Sequence, residues 1–206
     1  MTETQQAIAT QRRELAALLT ELPTARWDAP TLCEGWRVRE VVAHMTMPFR
    51  HSAPRVLLEA LKAGGHFGRM ADRLARQDAA AHSPEELVAT LRDNAEHPWR
   101  PPGGGFEGAL SHDLIHSLDI TVPLDLDWQV PEERLRIVHG TLTPKRIARF
   151  HANLDGVELR ADDIDWSYGS GSPVTGAAQD LLLALCGRTV PEGRLRGTHS
   201  DRFSRV

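Results

Sequence analysis

The sequence is poor in cysteine, in tyrosine and in long apolar runs. Only two cysteines occur in 206 residues, Cys33 and Cys186, and no Cys-x-x-Cys pair. A disulfide framework and a cysteine-rich zinc site are both excluded. Unpaired thiols fit a reducing compartment, so a cytoplasmic location is expected. No stretch approaches the ~20 consecutive apolar residues that cross a bilayer. The opening "MTETQQAIATQRREL" has no apolar core of a secretory leader, and no membrane partner is expected. Positive charge is not in excess either. The net charge is −4 and the isoelectric point about 6.2, with basic residues, mostly arginine, scattered among acids. Binding to polyanions needs clustered Lys and Arg, so no nucleic-acid partner is expected.

What is present is apolar mass and histidine. At 41% hydrophobic residues the chain can build a core, and its length suits one large or two small domains. Residues 4–22 place Ile8, Leu15, Leu18, Leu19 and Leu22 on one helical stripe. "PTARWDAPTLCEGW" reads as a loop. "RVREVVAHMTMPF" reads as a helix with Val38, Val41, Val42 and Met45 inward, ended or kinked at Pro48. Residues 51–81 are helical on either side of Gly64-Gly65. "HSPEELVATLRDNAEH" starts a helix cleanly, with Ser83 as cap, Pro84 in first position and Glu86 completing a capping box. "PWRPPGGGF" must be loop. A helix through "GALSHDLIHSLDI" follows, then a shorter one at "PEERLRIVHGTL". Beyond about residue 150 the pattern alternates in "VELRA" and "IDWSY", before a Gly/Ser turn and a leucine-rich helix. Two or three strands and one packed helix are expected there. The fold class is mainly α, with residues 1–148 helical and 149–206 a small α+β domain.

Ten histidines stand against one tyrosine. His112 and His116 are four apart on a helix, ~40° around the axis and one turn up. They can chelate one ion, as in His-Glu-x-x-His zinc enzymes, although Asp113 stands where that motif has its glutamate. Ten histidines give roughly half such a pair by chance, so spacing alone leaves a metal pair and a polar helix edge both open. A third ligand has to come from elsewhere. His44, on the apolar side of its helix, is the candidate, because a core-facing histidine is costly unless bonded or ligated. His51 is its rival. Three histidines from two helices leave coordination positions open, the arrangement of a catalytic metal. Imidazole suits zinc, nickel, iron and copper, and zinc is the expectation from availability.

Two segments resemble the mycothiol-dependent maleylpyruvate isomerase family, whose N-terminal domain is a DinB-like up-down four-helix bundle. "RWDAPTLCEGWRVREVVAHM" (26–45) carries Trp27, Pro30, Thr31, Cys33, Gly35, Trp36 and His44 in the family's order. "SHDLIHSLDI" matches its second element, and "VTGAAQDLLLALCGR" its C-terminal helix. The resemblance implies a DinB-like metal-binding domain over 1–148, with His44, His112 and His116 as metal ligands. It implies mycothiol as co-substrate and a small electrophilic substrate, in an enzyme that is a monomer or homodimer. One position departs. The family isomerase is similar to a Glu-x-x-x-His pattern where this chain has His112. A neutral ligand leaves the site one charge more positive and separates the metal from the specific maleylpyruvate reaction.

The expected function is metal- and thiol-dependent S-transfer or isomerisation. A non-catalytic DinB-like module and a metal-dependent hydrolase are the alternatives. Asp119 is a candidate acceptor for a ligand imidazole N–H. Arg69, Arg73 and Arg76 either hold a carboxylate substrate or form a solvated face. Cys33 is a nucleophile or a packed small side chain. Trp27 and Trp36 are expected to fasten their loop to the bundle.

Overall fold

The computed structural model describes residues 1–205. The chain packs into two compact units, Met1–His116 and Ser117–Val206. The first holds α1 (Glu3–Thr20), α2 (Val38–Arg50), α3 (Ala53–Lys62), α4 (Phe67–Ala81), α5 (Pro84–Asp93) and most of α6 (Gly105–Thr121).

Each helix start has a local cause. Thr2 and Gln5 form a reciprocal capping box on α1, and Ser83 with Glu86 does the same on α5. On α2 the Glu40 carboxylate accepts the Arg37 backbone N–H at 2.9 Å, satisfying a group that the first turn leaves without a helical partner. The apolar stripe of α1 buries Ile8, Leu15 and Leu19, and α2 buries Val38, Val41, Val42 and Met45. α5 packs on α1 and α2, and α4 packs on α2. Met47, Met70 and Leu74 form a further cluster, against which Val56, Ala60 and Ala63 pack.

Pro48 does not end α2, which runs on to Arg50. A proline disturbs the turn before it, and the turn after it closes with the His51 N–H on the Met47 carbonyl at 3.0 Å. The two glycines at 64 and 65 break the helix between α3 and α4 as expected, both with positive φ.

The second unit contains α7 (Glu132–Thr141), α8 (Pro144–Ile147) and α9 (Ala178–Leu185) with strands β1 (Val157–Ala161), β2 (Ser167–Gly169), β3 (Ser172–Gly176), β4 (Val190–Pro191), β5 (Leu195–Arg196) and β6 (Ser204–Arg205). A four-stranded sheet runs in the order β2-β1-β3-β5, and β4 pairs with β6. β1 is antiparallel to β2 and parallel to β3. α9 is buried all round, with Leu181, Leu182, Leu183 and Leu185 in the core and Gln179 and Asp180 also buried, and packs on β1, β3, β4 and α7. There are more strands than the expected two or three. β3 lies in the stretch read as a Gly/Ser turn. Glycine stands just before it because the backbone runs close there: a Cβ at Gly171, where φ is +134, would collide with the Gly156 carbonyl. The architecture is mainly α-helical with a C-terminal β-containing unit. Among the described residues, no helix is long and apolar enough to cross a membrane.

Candidate metal centre

α2 brings His44 to the face of α6 that carries His112 and His116. One ligand atom from each of the three lies within 4.8 Å of the others. The His112 Nε2 to His44 Nε2 distance is 3.1 Å. Ring centroids are 5.1 Å apart for His44 and His112, 5.0 Å for His44 and His116, and 4.7 Å for His112 and His116. Two imidazoles on one tetrahedral ion, with bonds of ~2.0–2.1 Å, hold their nitrogens ~3.3–3.4 Å apart. The donor set, three nitrogens from three convergent rings, fits such an ion.

The orientation of His112 is set from behind. Its Nδ1 lies 2.9 Å from Asp113 Oδ1. Asp113 Oδ2 accepts from Arg12 Nε at 2.6 Å. Arg12 also donates from Nη1 to the carbonyls of His97 at 2.9 Å and Ala95 at 3.2 Å, and lies over the Phe49 ring. Both charged groups are sealed, with side-chain exposures of 0% and 2%. Burial pushes the Asp113 carboxyl up, but the hydrogen bond from His112 and the Arg12 charge hold it below the usual carboxylate range. A carboxylate on Nδ1 makes that nitrogen the protonated one and turns the Nε2 lone pair outward, toward His44.

Sequence reasoning did not find Arg12, though a signal existed. It sits on the α1 stripe between Ile8 and Leu15, where a charge requires a buried partner. Asp113 was noticed only for standing in a motif's glutamate position. The two oxygens of Asp119 accept from Arg188 Nε at 2.9 Å and Nη2 at 3.0 Å.

Other candidates are accounted for. His51 is not in the cluster; its Nε2 is 2.8 Å from Asp78 Oδ2. It stands at the C-cap of α2, in extended backbone. Arg73 pairs with Glu59. Arg76 pairs with Asp72 at 2.9 Å and donates to the Gly35 carbonyl at 3.0 Å. Trp27 is buried. Trp36 fastens its loop by donating from the indole nitrogen to Asp72 at 2.7 Å, and its ring also lies 5.1 Å from that of His44. Trp99, from the Pro/Gly loop, lies 5.1 Å from the His112 ring. Cys33 Sγ is 3.7 Å from His116 Nδ1. Cys186 is core, and burial pushes its thiol up to about 12.

Residues 8–98 match the family described as the mycothiol maleylpyruvate isomerase N-terminal domain. The crystal structure of the mycothiol-dependent maleylpyruvate isomerase superposes with a TM-score of 0.54 at 14% identity, over 96% of this chain and 92% of that one. A histidine-to-alanine mutant of that enzyme superposes at 0.58, with the same identity and coverage. Uncharacterized proteins from two strains of Mycobacterium tuberculosis are each 27% identical over 210 residues, 85% of this chain and 81% of the relative. The fold is therefore DinB-like, and residues 8–98 are similar to the mycothiol maleylpyruvate isomerase N-terminal domain.

Proposed function

We propose that this protein is a divalent-metal enzyme that uses a low-molecular-weight thiol, mycothiol, to transfer or isomerise a small electrophilic substrate. His44, His112 and His116 are its metal ligands. Residues 1–148 form the metal-binding domain and 149–206 the small C-terminal domain. Zinc is the metal favoured, with nickel or iron fitting the same donors. The location is cytoplasmic, and the active form is a monomer or homodimer. The observation that carries the reading is the convergence of the three imidazoles.

A bound divalent ion here supplies Lewis acidity and favours the deprotonated form of a thiol or water that meets it. The chain supplies the rest. Asp113 fixes the tautomer of His112, and Arg12 holds Asp113 ionised. The rings of Trp36 and Trp99 stand against His44 and His112 and displace water from their faces. Three neutral ligands leave the full charge of the ion uncompensated, which favours an anionic sulfur or oxygen more than a site containing glutamate does. The maleylpyruvate reaction itself is not assigned for this reason.

The test is protein purified without a histidine tag, assayed for metal content and for conjugation of monochlorobimane. The expected result is turnover that needs both metal and mycothiol and is lost in His44→Ala. Turnover without thiol would replace this reading with a hydrolase. Metal below ~0.2 equivalents, unchanged by His44→Ala or His116→Ala, would leave a non-catalytic module.

A further inference from the structure

α3 is an amphipathic helix mounted with its apolar face outward. None of its residues is buried. Its inner side is made of small or short side chains, Val56, Ala60 and Ala63, which pack on Met47, Met70 and Leu74. Its leucines stand on the other side. Leu57 is 63% exposed, Leu58 51% and Leu61 67%. At ~100° per residue these three cover ~100° of the helix surface. Phe67, at the start of α4, is 58% exposed. Six large apolar side chains are exposed among the described residues, and four of them fall within residues 57–67. Single exposed leucines are ordinary, but a group of them rimmed by charge marks an interaction surface.

The charge of this region is opposite to that of the protein. Residues 50–76 hold six arginines or lysines and two acids, a net of +4, in a chain whose total is −4. Arg55, Lys62 and Arg69 are exposed. Around the α3 axis, Arg55 and Lys62 fall ~40–60° beyond Leu58, along one border of the leucine face. Glu59, the acid of α3, is mostly covered and paired with Lys62 at 2.8 Å and with Arg73. Asp72 accepts from Trp36 at 2.7 Å and Arg76 at 2.9 Å. The two acids of the segment are thus engaged, and the border of the apolar face is cationic.

What covers such a face must be both apolar and negative. A second copy is not, since a two-fold contact presents the patch to itself and two positive segments repel. A stable protein–protein interface takes about 20–30 residues a side, against four apolar side chains here. A bilayer asks for less: an apolar helical face that enters the acyl boundary, with cations that meet anionic headgroups. The cytoplasmic leaflet of a membrane is negative at its surface. The lack of a run of ~20 apolar residues excludes crossing a bilayer, not lying on one.

We propose that α3 and the start of α4 dock this protein on an anionic phospholipid surface. Leu57, Leu58, Leu61 and Phe67 enter the acyl boundary, and Arg55, Lys62 and Arg69 meet the headgroups. The proposal stands apart from the metal reading, since it holds equally if the three-histidine cluster binds nothing.

The experiment is co-sedimentation of the full-length protein with vesicles of equal parts phosphatidylglycerol and phosphatidylcholine, with pure phosphatidylcholine vesicles as the control. Half of the protein is expected to pellet at about 1 mM accessible lipid, a tenth of the affinity of a single myristoyl chain. Pure phosphatidylcholine should bind at least tenfold more weakly. Leu58→Glu with Leu61→Glu and, separately, Arg55→Glu with Arg69→Glu should each weaken binding at least tenfold. All four positions are exposed, and circular dichroism melts check that each variant folds. No pelleting above the vesicle-free control would overturn the proposal and leave an acidic protein as the partner. Equal binding to both vesicle types, or binding unchanged in either double variant, would also overturn it. So would a native dimer in gel filtration that Leu58→Glu with Leu61→Glu converts to monomer, since a second copy would then cover the face.

Discussion

Two Arg–Asp–His chains occur in the first unit, and they differ in what lies beyond the histidine. In one, Arg12 and His112 share Asp113; in the other, Arg50 and His51 share Asp78. Asp113 gives one oxygen to each partner, Oδ2 to Arg12 and Oδ1 to His112. Asp78 uses Oδ2 for both. His112 is held by Nδ1, which frees Nε2 to face His44. His51 is held by Nε2, which leaves Nδ1 buried without a hydrogen-bond partner. The same three residue types thus turn a free ring nitrogen toward a second histidine in one place and build a closed structural tie in the other. The nitrogen that is bonded decides which.

The largest expected effect tests that difference directly. His44→Ala, His112→Ala or His116→Ala should each drop metal content from about one equivalent to below ~0.2. His51→Ala should leave it unchanged. Metal analysis of gel-filtered protein reads both. Equal losses in His51→Ala would remove the distinction between the two chains.

The next effect separates the carboxylates. Asp113→Asn leaves the Arg12 charge buried with only neutral acceptors. Breaking such a pair costs ~3–5 kcal/mol, and losing the carboxylate behind a ligand histidine weakens metal binding ~10–100-fold. Asp78→Asn should cost ~1–2 kcal/mol of stability, with metal affinity unaltered. Denaturant melts of the metal-free protein, paired with a metal titration, distinguish the two outcomes. Arg12→Met with Asp113→Leu would probe whether the charges serve stability or only orientation: restored stability with lost metal affinity is the expected pattern.

His139 sharpens the comparison from the opposite side, as a buried histidine with no carboxylate tie. Its folded pKa is lowered from 6.5 to about 4 by burial. The unfolded chain therefore binds the extra proton first as pH falls. Stability from this group is complete above about 6.5 and is lost progressively as pH falls from there to about 4, a total of roughly 3 kcal/mol. Urea melts across that window should show the slope in the native protein, and His139→Phe should flatten it. An unchanged slope in His139→Phe would assign the acid sensitivity elsewhere.

The sequence made the helices readable because their signals are local. Ser83 with Glu86, the Gly64-Gly65 break and the stripe of Ile8, Leu15 and Leu19 each specify one element within a few residues. The proximity of the three histidines was readable for a different reason: His112 and His116 are neighbours by helix geometry, and His44 stood out as polar on an apolar face. The supports of the site were not readable in this way. Arg12 and Asp113 meet across 101 positions of sequence, and nothing in either neighbourhood names the other. Asp119 and Arg188 likewise pair across 69 positions. β3 was hidden because its glycines mark close backbone approach in a strand as readily as they mark a turn.

The smallest expected effect concerns Cys33, whose Sγ lies 3.7 Å from His116 Nδ1. A sulfur makes a weak hydrogen bond, far weaker than the carboxylate that Asp113 presents to His112. If the bonded nitrogen decides a histidine's role, as the two Arg–Asp–His chains suggest, His116 needs only enough support at Nδ1 to hold its ring among the other two. Its place one turn after His112 on the same helix already supplies most of that. Cys33→Ser should then change metal affinity by less than ~5-fold, about 1 kcal/mol, against the ~10–100-fold expected for Asp113→Asn. A competition assay with a chromogenic chelator resolves the two. A loss in Cys33→Ser as large as that in Asp113→Asn would show that the thiol itself contributes to holding the metal.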